Sequence, residues 1–154
     1  EMCIRDSGQP APTFDLPDQN KERVSLDDLK GKRTLVMFIP FPFTGICDAE
    51  GCALRDGIGH LEALDANVVV ITAHAAQTNK KWAEVNDFTF TILSDFWPHG
   101  AVSQAYGTFN DTVGVATRSS YILDADGVVR DIIATDSLGV AREHEAQVEA
   151  LARV

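Results

Sequence analysis

Five consecutive apolar residues, Leu35-Val36-Met37-Phe38-Ile39, stop at Pro40, and the next cysteine is Cys47. An unbroken apolar run of this length is a strand buried on both faces, and a proline at its end blocks further ladder pairing. A second run, Val68-Val69-Val70-Ile71, follows a segment in which Cys52, Ala53, Ile58, Leu61 and Leu64 fall at helical spacings. Strand, helix and strand in succession require a sheet covered by helices, with Cys47 where the first strand gives way to its helix.

Upstream, Gly8 to Asn20 carries three prolines and alternates Phe14 and Leu16 with polar neighbours, which suits an edge strand and a turn. Ser25-Leu26-Asp27-Asp28 has the form of a capped short helix. Downstream, Thr78 is placed to cap a helix through Val85, Thr89 to Leu93 reads as a strand, and Gly100 to Tyr106 as a short helix. Ser119–Leu123 and Val128–Ile133 flank the turn Asp124-Ala125-Asp126-Gly127, which predicts a hairpin, and Val140 to Val154 a closing helix. Parallel units followed by a hairpin and a helix predict an α/β fold of the thioredoxin-like type: a central mixed β-sheet flanked by helices, with an N-terminal β extension.

A chain of 154 residues supplies one sizeable core, so residues 8–154 are read as one domain. Glu1-Met2-Cys3-Ile4-Arg5-Asp6 resembles a translated adapter, so residues 1–7 are read as a non-native leader and Cys3 is left out of the chemistry. The formal charge of −10, with no basic run, argues against nucleic-acid or anionic-membrane partners. The apolar runs are too short to span a bilayer and no secretory signal is visible, so the expected address is the cytoplasm. Two remaining cysteines do not make a disulfide scaffold.

At the N-terminus of a helix, free backbone N–H groups and the helix dipole favour a thiolate, which makes Cys47 a plausible nucleophile. Taken alone it reads first as a small buried hydrophobe, the commoner state of an isolated cysteine. Its setting adds Pro40-x-x-x-Thr44-x-x-Cys47, a proline at the strand end and a hydroxyl one turn before the thiol. Zinc is a poor reading, because His60, His74, His99 and His144 are scattered and give no paired ligand spacing. These histidines read as surface or packing residues.

The Pro40-Thr44-Cys47 pattern matches the peroxiredoxin active-site motif. Phe43-Thr44-Gly45-Ile46-Cys47, Leu93 to Gly100 and Ala101 to Tyr106 resemble the alkyl hydroperoxide reductase E branch, over a range from about Gly8 to the C-terminus. The resemblance implies that Cys47 attacks hydrogen peroxide or an organic hydroperoxide, that Thr44 and nearby backbone amides hold the peroxide oxygens, and that Arg118 supplies a guanidinium. Such donors, aimed at the leaving oxygen, lower the barrier as charge develops there. It also implies that Glu50 orients arginines, and puts Trp97 and His99 at the pocket rim or a dimer contact. Read without it, Thr44 is a turn hydroxyl, Arg118 an exposed strand-end charge, Glu50 a first-turn carboxylate, and Trp97 an ordinary packed aromatic.

The Cys47-x-x-x-x-Cys52 spacing resembles the bacterioferritin comigratory protein branch, in which the second cysteine resolves the sulfenic acid of the first within one chain. On an intact helix, α-carbons five apart are about 8 to 9 Å from each other. A disulfide needs less than about 7 Å, so the helix has to open locally. Gly51, Gly57 and Gly59 on the same predicted helix lower its stability. Cys52 otherwise reads as a core-facing helix residue.

The resemblance implies no metal and no organic cofactor, and a thioredoxin, a mycoredoxin or a low-molecular-weight thiol as reductant, with a homodimer or a monomer both represented among relatives. Two further readings stay open: a redox sensor that signals through a partner, and a thioredoxin-type disulfide reductase, which would require Cys where Thr44 stands.

Overall fold

The structure is a computed structural model that describes residues 8–135 and 137–154; the leader assigned to residues 1–7 lies outside the described residues. Its frame is a five-stranded mixed sheet in the order β5-β4-β3-β8-β9. The strands are β3 (Thr34–Phe38), β4 (Asn67–Thr72), β5 (Thr91–Ser94), β8 (Ser119–Leu123) and β9 (Val129–Ala134). β3 pairs parallel to β4 and antiparallel to β8, β4 pairs parallel to β5, and β8–β9 is the antiparallel hairpin. This is the thioredoxin-like arrangement expected from the apolar runs.

Strand periodicity divides the core into two layers. Leu35, Met37 and Ile39 face one side, where they pack with residues of α2 (Gly45–Asp56), α3 (Ile58–Ala63), α4 (Ala76–Asn86) and α6 (His144–Ala152). Val36 and Phe38 face the other, against Phe14, Leu16, α1 (Leu26–Leu29) and Tyr106 at the end of α5 (Ala101–Ala105). β1 (Asp15–Pro17) and β2 (Arg23–Ser25) form the N-terminal extension as an antiparallel pair. The capping box of α1 forms as read, with Asp28 N–H donating to Ser25 Oγ and Ser25 N–H to the Asp28 carboxylate.

Four local expectations are corrected. The helix after Cys47 breaks at Gly57, whose φ of −97° and ψ of 12° leave the helical range, and a Cβ there would clash with the His144 ring. Gly51 is a packing residue rather than a weak point, since a Cβ would come within 2.6 Å of Phe88 Cζ. Thr78 does not cap α4, which starts at Ala76 after Ala75. The closing helix starts at His144 and not at Val140, because the Arg142 backbone is drawn aside by a bond to Glu50. A small hairpin of β6 (Phe109–Asn110) and β7 (Val115–Ala116), absent from the sequence reading, leads into β8.

The fit of Gly51 against the Phe88–Trp82 pair predicts that Gly51→Ala is destabilising although alanine is the better helix former. Overpacking of about 1–3 kcal/mol outweighs a propensity gain of about 1 kcal/mol. Urea unfolding followed by circular dichroism should show a lower midpoint with an unchanged slope.

Candidate active site

Cys47 sits in the first turn of α2, fully buried, beyond the C-terminal end of β3. Phe41 N–H donates to its Sγ at 3.4 Å. The first helical bond runs from Asp48 N–H to Thr44 carbonyl, so the amides of Gly45, Ile46 and Cys47 have no protein acceptor among the described residues. A helix start with free N–H groups is suited to a developing or resident negative charge.

The loop that delivers the thiol is held by short bonds. Thr44 is the N-cap residue, but its side chain caps nothing; its hydroxyl donates to Phe41 carbonyl at 2.6 Å. Phe43 takes a left-handed backbone with φ of 70°, and its N–H donates to Asp48 Oδ1 at 3.1 Å. The same oxygen accepts from Trp82 Nε1 at 2.7 Å, which ties the first part of α2 to α4. Pro40 is buried, and its carbonyl accepts from His74 Nε2 at 3.1 Å.

One turn beyond Cys47, the carboxylate of Glu50 is almost wholly buried and accepts four bonds. Oε1 receives Arg118 Nη1 at 2.6 Å and Arg142 Nη2 at 2.8 Å, and Oε2 receives Arg142 N–H at 2.7 Å and Nε at 2.9 Å. Burial acts to raise the Glu50 pKa, but the side-chain bond and charge of Arg142, its backbone N–H and the charge of Arg118 prevail and lower it. One carboxylate against two guanidiniums leaves one positive charge over among these three side chains.

Arg118, in the turn between β7 and β8, also donates Nε to Leu138 carbonyl at 2.6 Å, which leaves Nη2 without a protein partner among the described residues. Arg142 donates Nη1 to Ser120 Oγ at 3.1 Å.

Of the residues singled out from the sequence, Pro40, Thr44 and Cys47 meet at Phe41, Cys47 on its N–H and Thr44 on its carbonyl, and Glu50 meets Arg118 across 68 residues of chain. Cys52 is half-buried, and both thiols are free. Trp97 is 80% exposed and lines a surface groove with Phe96, Pro17 and Ala75, which Cys47 does not line. His99 bridges to the β6–β7 hairpin through Gly114 carbonyl at 2.7 Å. Arg142 was missed: a lone arginine ahead of a C-terminal helix carries no local signal. Among the described residues, no cluster of three or more His, Cys, Asp or Glu could hold a metal ion.

The chain is similar to known proteins in sequence and in fold. The sequence model of the AhpC/TSA family matches residues 7–132. Alkyl hydroperoxide reductase E of Mycobacterium tuberculosis is 46% identical over 124 residues, covering 80% of this chain and 81% of that protein. Peroxiredoxin Bcp of Escherichia coli is 31% identical over 145 residues, covering 90% of each. The crystal structure of Enterococcus faecalis AhpC superposes with a TM-score of 0.89 at 23% identity, over 99% of this chain and 92% of that one.

The Glu50 cluster yields a pH prediction. Because the folded pKa of Glu50 is lowered, the unfolded chain takes up its proton more readily than the native one. The resulting stability is present above the ordinary carboxylate range of about 4 and is lost as pH falls through it towards the folded value. Glu50→Gln should lose about 3–5 kcal/mol at neutral pH, by leaving two buried guanidiniums without their counter-charge. Urea midpoints recorded from pH 7 to pH 3 should accordingly fall less steeply for the variant than for the wild type.

Proposed function

The chain belongs to the AhpC/TSA family, and on that premise we propose that it is a thiol-dependent peroxidase in which Cys47 is the attacking thiolate. The observation that carries the residue assignment is the buried thiol at a free helix N-terminus, one turn from a carboxylate holding two arginines. In this reading the Cys47 thiolate attacks one oxygen of a hydroperoxide, an S–O bond forms and the O–O bond breaks. The leaving oxygen departs as hydroxide or alkoxide and takes a proton to become water or alcohol, while Cys47 becomes a sulfenic acid.

The surplus positive charge of the Glu50–Arg118–Arg142 cluster suits this step, because negative charge is conserved but moves from sulfur to oxygen. Arg118 Nη2 and the free amides of the first turn are the donors we assign to the peroxide. Thr44 is assigned the complementary task, accepting from the peroxide O–H through its hydroxyl oxygen, which keeps lone pairs while its proton is committed to Phe41 carbonyl. Pro40 ends the strand, and the peptide after it carries the Phe41 N–H that donates to the thiol sulfur. Trp97 and His99 have less support as a pocket rim, since the groove beside Trp97 does not reach Cys47.

For the return half of the cycle we propose that Cys52 condenses with the sulfenic acid, releasing water and forming a Cys47–Cys52 disulfide. Glu50 anchors the second turn of α2 with four bonds, so the opening this requires is confined to the first turn. Its side-chain ties there are those of Asp48 to Trp82 and Phe43, and of Cys47 to Phe41. A thiol reductant then restores both cysteines; a thioredoxin, a mycoredoxin or a low-molecular-weight thiol all have the required chemistry. Both thiols must start reduced, which fits a reducing compartment such as the cytoplasm. Among the described residues, no helix is long and apolar enough to cross a membrane. A homodimer is the assembly we favour, with Phe96 and Trp97 as exposed apolar residues available to it.

Peroxide consumption with a dithiol reductant tests the assignment. Cys47→Ser should abolish turnover, and Arg118→Ala should lower the rate of the first oxidation by about 10²–10³-fold, the scale of losing one donor to a developing oxyanion. Turnover retained by Cys47→Ser would refute the peroxidatic role. On intact-mass analysis the oxidised wild type should be lighter by two hydrogens and Cys52→Ser should not; a wild type that stops at sulfenic acid assigns resolution to an external thiol.

A further inference from the structure

β4 ends at Thr72, and the chain makes one short crossing, Ala73-His74-Ala75, before α4 begins. The crossing is fixed from both sides. His74 N–H donates to Thr72 Oγ1 at 3.1 Å, and Ser94 Oγ, at the end of β5, donates to His74 carbonyl at 2.5 Å. Thr72 is held in turn by Asn79 of α4, Oγ1 to Oδ1 at 2.8 Å. The half-buried imidazole is thereby aimed across the C-terminal edge of the sheet at the loop leaving β3. Its ring centroid is 6.1 Å from that of Phe41, and Nε2 lies 3.1 Å from Pro40 carbonyl oxygen. A carbonyl only accepts, so Nε2 is the protonated nitrogen.

Pro40 carbonyl and Phe41 N–H belong to one peptide group. The carbonyl accepts from His74, and the N–H on its other side donates to Cys47 Sγ. Hydrogen bonds in series through a peptide polarise each other, because electron density drawn towards the carbonyl oxygen leaves the N–H a stronger donor. A donor to sulfur favours the thiolate over the thiol, since the charged acceptor is held more strongly than the neutral one.

We propose that His74 is a positioning residue for the peroxidase reaction, which sets the thiolate fraction of Cys47 through the Pro40–Phe41 peptide. The proposal rests on the assignment of Cys47 as the reacting thiol. The imidazole touches neither sulfur nor peroxide; its effect passes through one amide. None of the motifs quoted from the sequence contains His74, and its neighbours in sequence, Ala73 and Ala75, give no hint of a role.

The charged groups packed about this relay are few. Among the described residues the His74 ring forms no ion pair; its near neighbours are Phe41 and Pro40 carbonyl. On the cysteine side they are Asp48, already bonded to Trp82 and Phe43, and Glu50 with Arg118 and Arg142. None of these is bonded to His74, so substituting it leaves them in place.

The pH dependence of Cys47 alkylation by iodoacetamide, read on its own peptide by mass spectrometry, tests the relay in the wild type, His74→Phe and His74→Gln. Phenylalanine keeps a ring of similar size without the donor, and the amide of glutamine restores a donor at the position of Nε2. His74→Phe should raise the midpoint of the alkylation profile by roughly 0.3–0.7 pH unit, a two- to fivefold loss of rate below the midpoint. His74→Gln should return it to the wild-type position. An unchanged midpoint in His74→Phe, or equal shifts in the two variants, would overturn the proposal, because a merely structural ring moves thermal stability and not the midpoint, or is not rescued by an amide. Failure of the underlying assignment is read separately, as peroxidase turnover that survives Cys47→Ser.

Discussion

The buried carboxylate of Glu50 is the point on which the site depends. It is one turn from the thiol, yet its partners come from 68 and 92 residues away, Arg118 beside β8 and Arg142 ahead of α6. Desolvating one anion and two cations is unfavourable by several kcal/mol per ion, and only bonds that fill the lone pairs and most of the donors offset it. Here both carboxylate oxygens accept twice, and Arg142 spends a backbone N–H as well as its side chain. The cluster therefore joins the helix of Cys47 to the antiparallel side of the sheet and to the C-terminal segment. It also divides α2: the turn before Glu50 is held by a few single bonds, and the turn containing it is clamped.

The apolar frame was legible because strand burial depends on local composition. The runs at Leu35 and Val68, the capping box at Ser25 and the turn at Asp124 all carry their cause within a few residues. The boundaries that were misread depend on partners distant in sequence. Gly57, where α2 ends, has no room for a Cβ because His144 lies against it, Val140 to Glu143 stays out of α6 because Arg142 reaches Glu50, and Gly51 is small because Phe88 occupies the space. Thr78 has the right residue type for a cap, but Ala76 already lies in the helix two residues earlier.

The site divided in the same way. Cys47, Pro40 and Thr44 were legible through one short motif, and Arg118 and Glu50 through family resemblance. Arg142 and His74 carry no motif; each is a single residue made relevant by one long-range partner, the Glu50 carboxylate in one case and Pro40 carbonyl in the other. The structure also qualifies Thr44, whose hydroxyl proton is committed to Phe41 carbonyl, so that only its oxygen lone pairs are left for another group. These interactions converge on the short stretch from Pro40 to Glu50, where a buried sulfur accepts from Phe41 N–H at a helix start, one turn from a cluster with one surplus positive charge.

The central claim is that the oxidising equivalent of a peroxide arrives first on Cys47. The most direct measurement is to mix the reduced protein with one equivalent of hydrogen peroxide in the presence of a carbon nucleophile that traps sulfenic acids, and to map the adduct by peptide mass spectrometry. The account predicts an adduct on the Cys47 peptide, increased in yield when Cys52 is replaced by serine. An adduct confined to Cys52 or Cys3, or oxidation that proceeds unchanged in Cys47→Ser, would contradict it.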